Sequence, residues 1–322
     1  MDGWAIDLGN SNTRVARWDP ESGAPKLLEL PGICREPGGT EPLSAPRLIP
    51  SATEIIADPS WVARLSRRPF FAKRLLLGDL ATIGRPALEN NIDEMRPGFV
   101  PAFKPYLDRE STRTLTRVGR RSYSARDVAR LFVRELLAEI KTTTGVRVRD
   151  LVLTTPVEAF ETYRAELSGI ARSLGVRKLR FIDEPVAAAL GYGLSLGRER
   201  LILVVDFGAG TLDLALVSFS AKEAEGGTAR VIAKRGDSLG GKHVDQWLLG
   251  DFSKTMGYDL GRDDRDEDGR LWRQFMLAEA RRVKETLFFQ PTSIFQLTPP
   301  DHMRSLCSEG LRADDPWMEV TR

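Results

Sequence analysis

The same short motif occurs twice in this chain, about 200 residues apart, and that repeat limits the fold more than any other feature. The first copy reads Ala5-Ile6-Asp7-Leu8-Gly9-Asn10-Ser11-Asn12, and the second reads Val204-Val205-Asp206-Phe207-Gly208-Ala209-Gly210-Thr211. Each is an apolar strand, an Asp, a hydrophobic residue, a Gly and a small polar loop. An alternating strand follows in both cases, Thr13 to Trp18 and Leu212 to Val217, so each copy predicts a hairpin. The period is too long for a solenoid and points to two related lobes. Gly and small polar residues let backbone N–H groups converge on an anion. An Asp at the end of the preceding strand suits a hydrated divalent cation. Two such turns facing each other can grip a polyphosphate from both sides.

The segments between the turns predict alternating strands and helices, hence an α/β fold. Leu151 to Pro156 reads as a buried strand, and Phe160, Tyr163, Leu167, Ile170 and Leu174 recur at helical spacing after it, up to Gly175. Lys178 to Ile182 reads as a strand, and Asp183-Glu184-Pro185 opens a helix rich in small residues, Val186 to Gly193. Ser124 is the predicted N-cap of an earlier helix, with Asp127 three residues on and Val128, Leu131, Phe132, Leu136 and Ile140 as its buried stripe.

Asp7-Leu8-Gly9, Asp206 to Thr211, and Glu184-Pro185 with its Ala-rich helix together resemble the phosphate loops and first interlobe connection of the actin-like ATPases. Gly240-Gly241-Lys242-His243-Val244-Asp245 resembles the Gly-Gly element of the 70-kDa heat-shock (DnaK-type) chaperones. The resemblance spans residues 4 to about 322 in family order and is weakest from about 20 to 120. It implies an actin-like, ribonuclease H-like fold with two lobes around a nucleotide cleft. Lobe I covers 1–195, with an inserted subdomain at about 30–118, and lobe II covers 196–322. The implied function is that of an ATP-binding, weakly ATP-hydrolysing switch domain, with ATP or ADP and Mg²⁺ as ligands. Unfolded clients or cochaperones would engage regions outside this chain.

The resemblance also assigns roles. Asp7 and Asp206 orient the water shell of the metal. Gly9, Asn10, Ser11 and Asn12 face Gly208, Ala209, Gly210 and Thr211 across the phosphates, with Asp206 and Thr211 counted among the catalytic residues. Glu184 positions the attacking water, in a reaction that needs mainly positioning and charge neutralisation. Two lysines compete for the γ-phosphate. Lys104, in Phe103-Lys104-Pro105-Tyr106-Leu107, follows an Ile83-Gly84-Arg85-Pro86-Ala87 segment like the family's and is the better candidate, and Lys73 is the other. Gly240 and Gly241, in the Gly-Gly element that follows the second phosphate loop, are counted with the nucleotide-binding residues, as is Lys284, in a helix that resembles the family's adenosine-contacting one. Pro156 and Arg164 match a proline and arginine that relay nucleotide state in the family.

The chain departs from the pattern at Asn10-Ser11, Ala209, Arg281 and Phe288. The resemblance also breaks off at Arg322, before the family's second adenosine loop. The resulting expectation is weak, poorly base-selective nucleotide binding, with ATP and GTP less than about tenfold apart.

Composition excludes some classes. Lys and Arg number 47 against 45 Asp and Glu, so no net charge favours nucleic acid or an anionic membrane. No apolar run is long enough to span a bilayer, and the N-terminus lacks the basic and apolar regions of a signal peptide. Cys34 and Cys307 are far apart, in keeping with a cytoplasmic setting, and read as packing residues. Asp264 to Gly269 opens like a calcium loop, but its twelfth position is Phe275. His243 and His302 have no second ligand at zinc spacing. The basic, aromatic stretch 61–74 reads as an amphipathic element of the insertion. Two rivals share the phosphate turns: a bacterial actin-like filament or cell-shape protein, and an actin-like sugar kinase.

Overall fold

The structure is a computed structural model that describes residues 3–35, 47–56, 80–91, 96–108, 110–157, 161–193, 200–219, 230–255, 267–296 and 317–322. Lys73, the 61–74 stretch, His302 and Cys307 lie outside these residues. The described residues form two compact units that divide at Ser238/Leu239.

The first unit opens with strands β1 (Trp4–Leu8), β2 (Asn12–Asp19), β3 (Ala24–Leu27), β4 (Ile49–Pro50), β5 (Thr53–Ile56) and β6 (Leu80–Ile83). Then come helix α1 (Arg85–Glu89), β7 (Phe99–Val100), a 3-10 turn at Lys104–Tyr106, the hairpin β8 (Thr114–Val118) and β9 (Arg121–Ser124), and α2 (Ala125–Thr144). Strand β10 (Asp150–Thr155), α3 (Glu161–Ser173), β11 (Lys178–Asp183) and α4 (Glu184–Gly193) follow. Strands β12 (Arg200–Phe207), β13 (Leu212–Phe219) and β14 (Arg230–Asp237) complete the unit.

The main sheet runs β11-β10-β1-β2-β3, with β4 also on β2. Strand β1 pairs parallel with β10 and antiparallel with β2, so the first motif sits in the middle of the sheet. Strands β12, β13 and β14 form a separate antiparallel sheet. Smaller sheets are β6-β5-β7 and β8-β9.

One apolar cluster runs from Trp4, Ile6 and Leu8 through Phe103, Leu107 and Phe132 to Leu167 and Ile170. Helix α2 supplies much of it because Val128, Leu131, Phe132, Leu136 and Ile140 are all buried on one stripe, as their spacing predicts. Its start is fixed by a capping box: Ser124 Oγ accepts from Asp127 N, and the Asp127 carboxylate accepts from Ser124 N. Its end is Gly145 at φ 72°, the left-handed region where glycine carries no Cβ penalty. Ser124→Ala is expected to lower stability by about 1 kcal/mol, read by urea denaturation with an unchanged slope.

Helix α4 packs on β12 and β13, where Ala189 meets Ala215 and Val217. Small residues allow that close approach. The opposite face of β12 is uncovered: Leu201, Leu203, Val205 and Phe207 are 63%, 62%, 59% and 50% exposed. Their two-residue period is that of a strand with one buried face, yet here the solvent-facing positions are also apolar.

The second unit holds α5 (Gly241–Thr255), α6 (Glu267–Leu287) and the antiparallel pair β15 (Thr292–Gln296) and β16 (Trp317–Thr321). Leu249, Phe252, Met276, Ala280, Val283 and Phe295 make its core, with the Phe252 and Phe295 rings stacked 4.1 Å apart. Among the described residues, no helix is long and apolar enough to cross a membrane.

Candidate functional site

The two motifs fold alike. Leu8 pairs with Thr13 across the first turn and Phe207 with Leu212 across the second. Gly9 N donates to Asn12 O at 3.1 Å, and Gly208 N donates to Thr211 O at 2.8 Å. A Cβ on Gly9 would lie 2.3 Å from Asn12 O, so this turn closes only around glycine. The turns also meet: a Cβ on Gly210 would lie 2.6 Å from Asn10 Nδ2. The first turn is braced from outside by Ser51, whose Oγ donates to Gly9 O at 2.7 Å and whose N donates to Ser11 O at 2.9 Å. Arg35 Nε donates to Asn12 Oδ1 at 3.3 Å. Ser51 and Arg35 carry no sequence signal that links them to the turn.

Charged groups gather beside the turns. Phe103 and Leu107, both fully buried, anchor the 3-10 turn that presents Lys104. Lys104 Nζ donates to Glu184 Oε1 at 2.5 Å, and both side chains are largely shielded from solvent. Burial opposes the charge on Lys104, but Tyr163, Glu184 and Asp7 outweigh it and hold the ammonium above the ordinary lysine range. The Tyr163 phenol is pushed up to about 12, chiefly by burial, so it is neutral at physiological pH. Glu184 and Asp7 therefore keep Lys104 cationic. Burial raises the Glu184 carboxyl, with Lys104 pulling the other way. Asp206 is raised by burial, then by Asp213 and Asp7, against Lys104 and Arg14. Asp7 Oδ1 accepts from Thr154 Oγ1 at 2.7 Å, which fixes that carboxylate at the end of β1.

Asp213 also belongs to this cluster, where it raises Asp206, and no sequence motif marks it. It is 2% exposed, and its Oδ1 accepts from Val157 N at 3.1 Å. Its Oδ2 is buried with no hydrogen-bond partner among the described residues. The available signal was phase, because Asp213 shares the inward face of β13 with Ala215 and Val217. Tyr163 lies on the helix's apolar stripe, yet its hydroxyl is buried in the same cluster with no hydrogen-bond partner among the described residues. Asp7, Asp206, Asp213 and Glu184 thus outnumber Lys104 and Arg14 and leave an orphan carboxylate oxygen. That donor set fits a cation. Among the described residues, no three His, Cys, Asp or Glu side chains are grouped as direct metal ligands.

Arg164 and Asp183 form a neighbouring set. Arg164 Nη2 donates to Asp183 Oδ1 at 2.9 Å, and Lys234 Nζ donates to Asp183 Oδ2 at 2.6 Å. Pro156 ends β10 just beyond Thr155, whose Oγ1 donates to Asp183 Oδ1 at 3.5 Å.

Gly240, Gly241 and Lys284 come together in the second unit. Lys284 Nζ donates to Gly241 O at 3.2 Å and pairs with Asp245 at 2.7 Å. Burial raises Asp245, with Lys284 opposing. His243 Nδ1 accepts from Gly240 N at 3.0 Å.

The model of the Hsp70 protein family matches residues 82–297. This chain belongs to the Hsp70 family. The chaperone protein HscA homolog of Shewanella amazonensis is 38% identical over 156 residues, which is 48% of this chain and 23% of that protein. The HscA homologs of Shewanella putrefaciens and Shewanella baltica are 36% and 35% identical over 165 and 156 residues. The match to each spans 23% of the relative's length. An Hsp70 domain implies the actin-like ATPase fold, and the several sheets and flanking helices of this Hsp70 chain are consistent with it. The family assignment does not favour the filament and sugar-kinase alternatives.

Proposed function

We propose that this chain is the nucleotide-binding domain of an Hsp70-like chaperone, binding ATP with Mg²⁺ and hydrolysing it slowly. One observation carries the reading: two hairpin turns of the same construction meet at Asn10 and Gly210, beside a shielded Lys104–Glu184 pair and three aspartates. In this reading the backbone N–H groups of Gly9–Asn12 and Gly208–Thr211 hold the phosphates. Lys104 contacts the terminal phosphate, Glu184 positions the attacking water, and Thr211 supports the second turn. Asp7 and Asp206, with Asp213 added, hold the water shell of Mg²⁺, which supplies charge neutralisation when bound. Gly240, Gly241 and Lys284 also bind the nucleotide, with Lys284 towards its adenosine. The lobes, 1–195 with an insertion at about 30–118 and 196–322, flank the nucleotide cleft. Clients and cochaperones are engaged by the larger protein of which an Hsp70 nucleotide domain is part, in the cytoplasm.

Calorimetric titration with ATP, ADP and GTP, with and without Mg²⁺, tests the proposal. The expected result is nucleotide binding that Mg²⁺ strengthens by at least about tenfold, or roughly 1.4 kcal/mol. Binding of none of the three nucleotides in the presence of Mg²⁺ overturns it.

A further inference from the structure

A second concave surface of the first unit lies between the C-terminal half of α2, the 145–149 segment entering β10, and the turn that follows α3. Its volume is about 780 Å³, in the range of ligand and peptide clefts. Arg130, Arg147, Arg149, Arg172 and Arg177 line it, are exposed, and make no side-chain hydrogen bond or ion pair among the described residues. Arg121, Arg134 and Lys141 add to the same wall. Against these eight cations stand two carboxylates, both engaged: Asp127 in the capping box and Glu135 with Arg134 at 2.9 Å. The chain as a whole carries only +2, so this is a local concentration of charge.

Helix dipoles explain part of it. Lys141 and Arg172 lie in the last turns of α2 and α3, where a cation offsets the negative helix end. Arg130, Arg147, Arg149 and Arg177 are not in those turns. The floor of the groove is apolar, with Leu131, Val148 and Val176 buried and Leu137 and Leu174 half-buried. We propose that this groove binds an acidic, amphipathic peptide segment of a partner protein, with carboxylates on the guanidinium forks and apolar side chains on Leu137 and Leu174. A single-stranded nucleic acid would want open aromatic faces for its bases. Among the described residues, the one aromatic side chain lining the groove, Tyr123, is buried, and the Arg121 guanidinium covers its ring at 5.1 Å. A membrane surface is flat, whereas this site is concave. None of these residues belongs to the nucleotide site, so the proposal does not rest on that reading.

The test is fluorescence anisotropy of the full chain with a labelled peptide of about twelve residues repeating Glu-Glu-Leu, and with its Lys-Lys-Leu counterpart. The acidic peptide is expected to bind in the micromolar range, to weaken steeply between about 50 and about 300 mM salt, and to outbind the basic one. Arg147→Glu with Arg177→Glu should weaken it at least about tenfold, or roughly 1.4 kcal/mol, and Leu174→Asp should weaken it as well. Both positions in the double variant are solvent-facing, so circular dichroism and nucleotide hydrolysis should match the parent. Equal affinity for the two peptides, or an unchanged affinity in the double variant, overturns the proposal. So does a single-stranded RNA or a phosphatidylserine vesicle that binds more tightly than the acidic peptide, because the surface is then a general polyanion site.

Discussion

Lys104→Ala is expected to lower stability by about 3 kcal/mol and to slow ATP hydrolysis more than about tenfold, while ADP affinity stays nearly intact. The stability loss comes from Glu184. Lys104 and Glu184 are shielded together at 2.5 Å, and removing one partner leaves the other buried with its charge uncompensated. Breaking such a pair costs about 3–5 kcal/mol, and protonation of Glu184 keeps the loss at the lower end. The pH dependence identifies the cause. Burial already raises the Glu184 carboxyl above 4.5, so the folded chain keeps that proton longer than the unfolded chain does. Stability therefore falls as pH rises through the window between the ordinary and the raised value. Without Lys104 that window extends upward, so the deficit of the variant grows with pH. Urea denaturation at several pH values reads the first effect, and single-turnover hydrolysis with ADP calorimetry reads the second. Parent-like stability at every pH would remove Lys104 from the pair, and unchanged hydrolysis would remove it from the γ-phosphate.

Asp206→Asn should separate stability from function. Asp206 is raised by burial and by the neighbouring Asp213 and Asp7 carboxylates, so without a bound cation its charge is unwelcome. Replacing it with a neutral isostere is expected to stabilise the nucleotide-free, Mg²⁺-free chain slightly, by less than about 1 kcal/mol because the group is only half-buried. The gain should grow as pH rises through the raised Asp206 range, since only the parent must then ionise a crowded carboxylate. The same change is expected to cut hydrolysis by well over tenfold, because a charge aimed at the metal shell is worth on the order of 2–4 kcal/mol in the transition state. Thermal melts with and without Mg²⁺, beside a phosphate-release assay, give both readouts. A variant that hydrolyses ATP at the parental rate would show that Asp206 is outside the site.

The elements most legible in the sequence are those with a local physical signature. The α2 helix announces itself through Ser124, Asp127 and a five-residue apolar stripe, and the structure places the cap and the stripe on the expected residues. The hairpins are legible because glycine and small polar residues after an apolar strand leave few other conformations. What escaped was information carried between distant segments. Ser51 reaches Gly9 across 42 residues of sequence, and nothing about a serine before Ala52 signals that contact. Asp213 looked like a polar residue in a strand, and its importance emerges only when β13 is seen to turn that carboxylate inward beside Asp206. Tyr163 fits a helical apolar stripe, and its position in the sequence gives no sign that its hydroxyl is buried without a partner among the described residues, a polar group in need of one.

The uncovered stripe on β12 has a thermodynamic consequence for how the chain behaves in solution. Fully burying a Leu, Val or Phe side chain is worth about 1.5–3 kcal/mol, and Leu201, Leu203, Val205 and Phe207 have realised roughly half of that at most. Several kilocalories of transfer free energy are held in reserve on one sheet face, available to whatever surface closes over it. Any surface that closed over this face would raise the melting temperature in proportion to the logarithm of its concentration, so melts at several protein concentrations read whether a second copy does so.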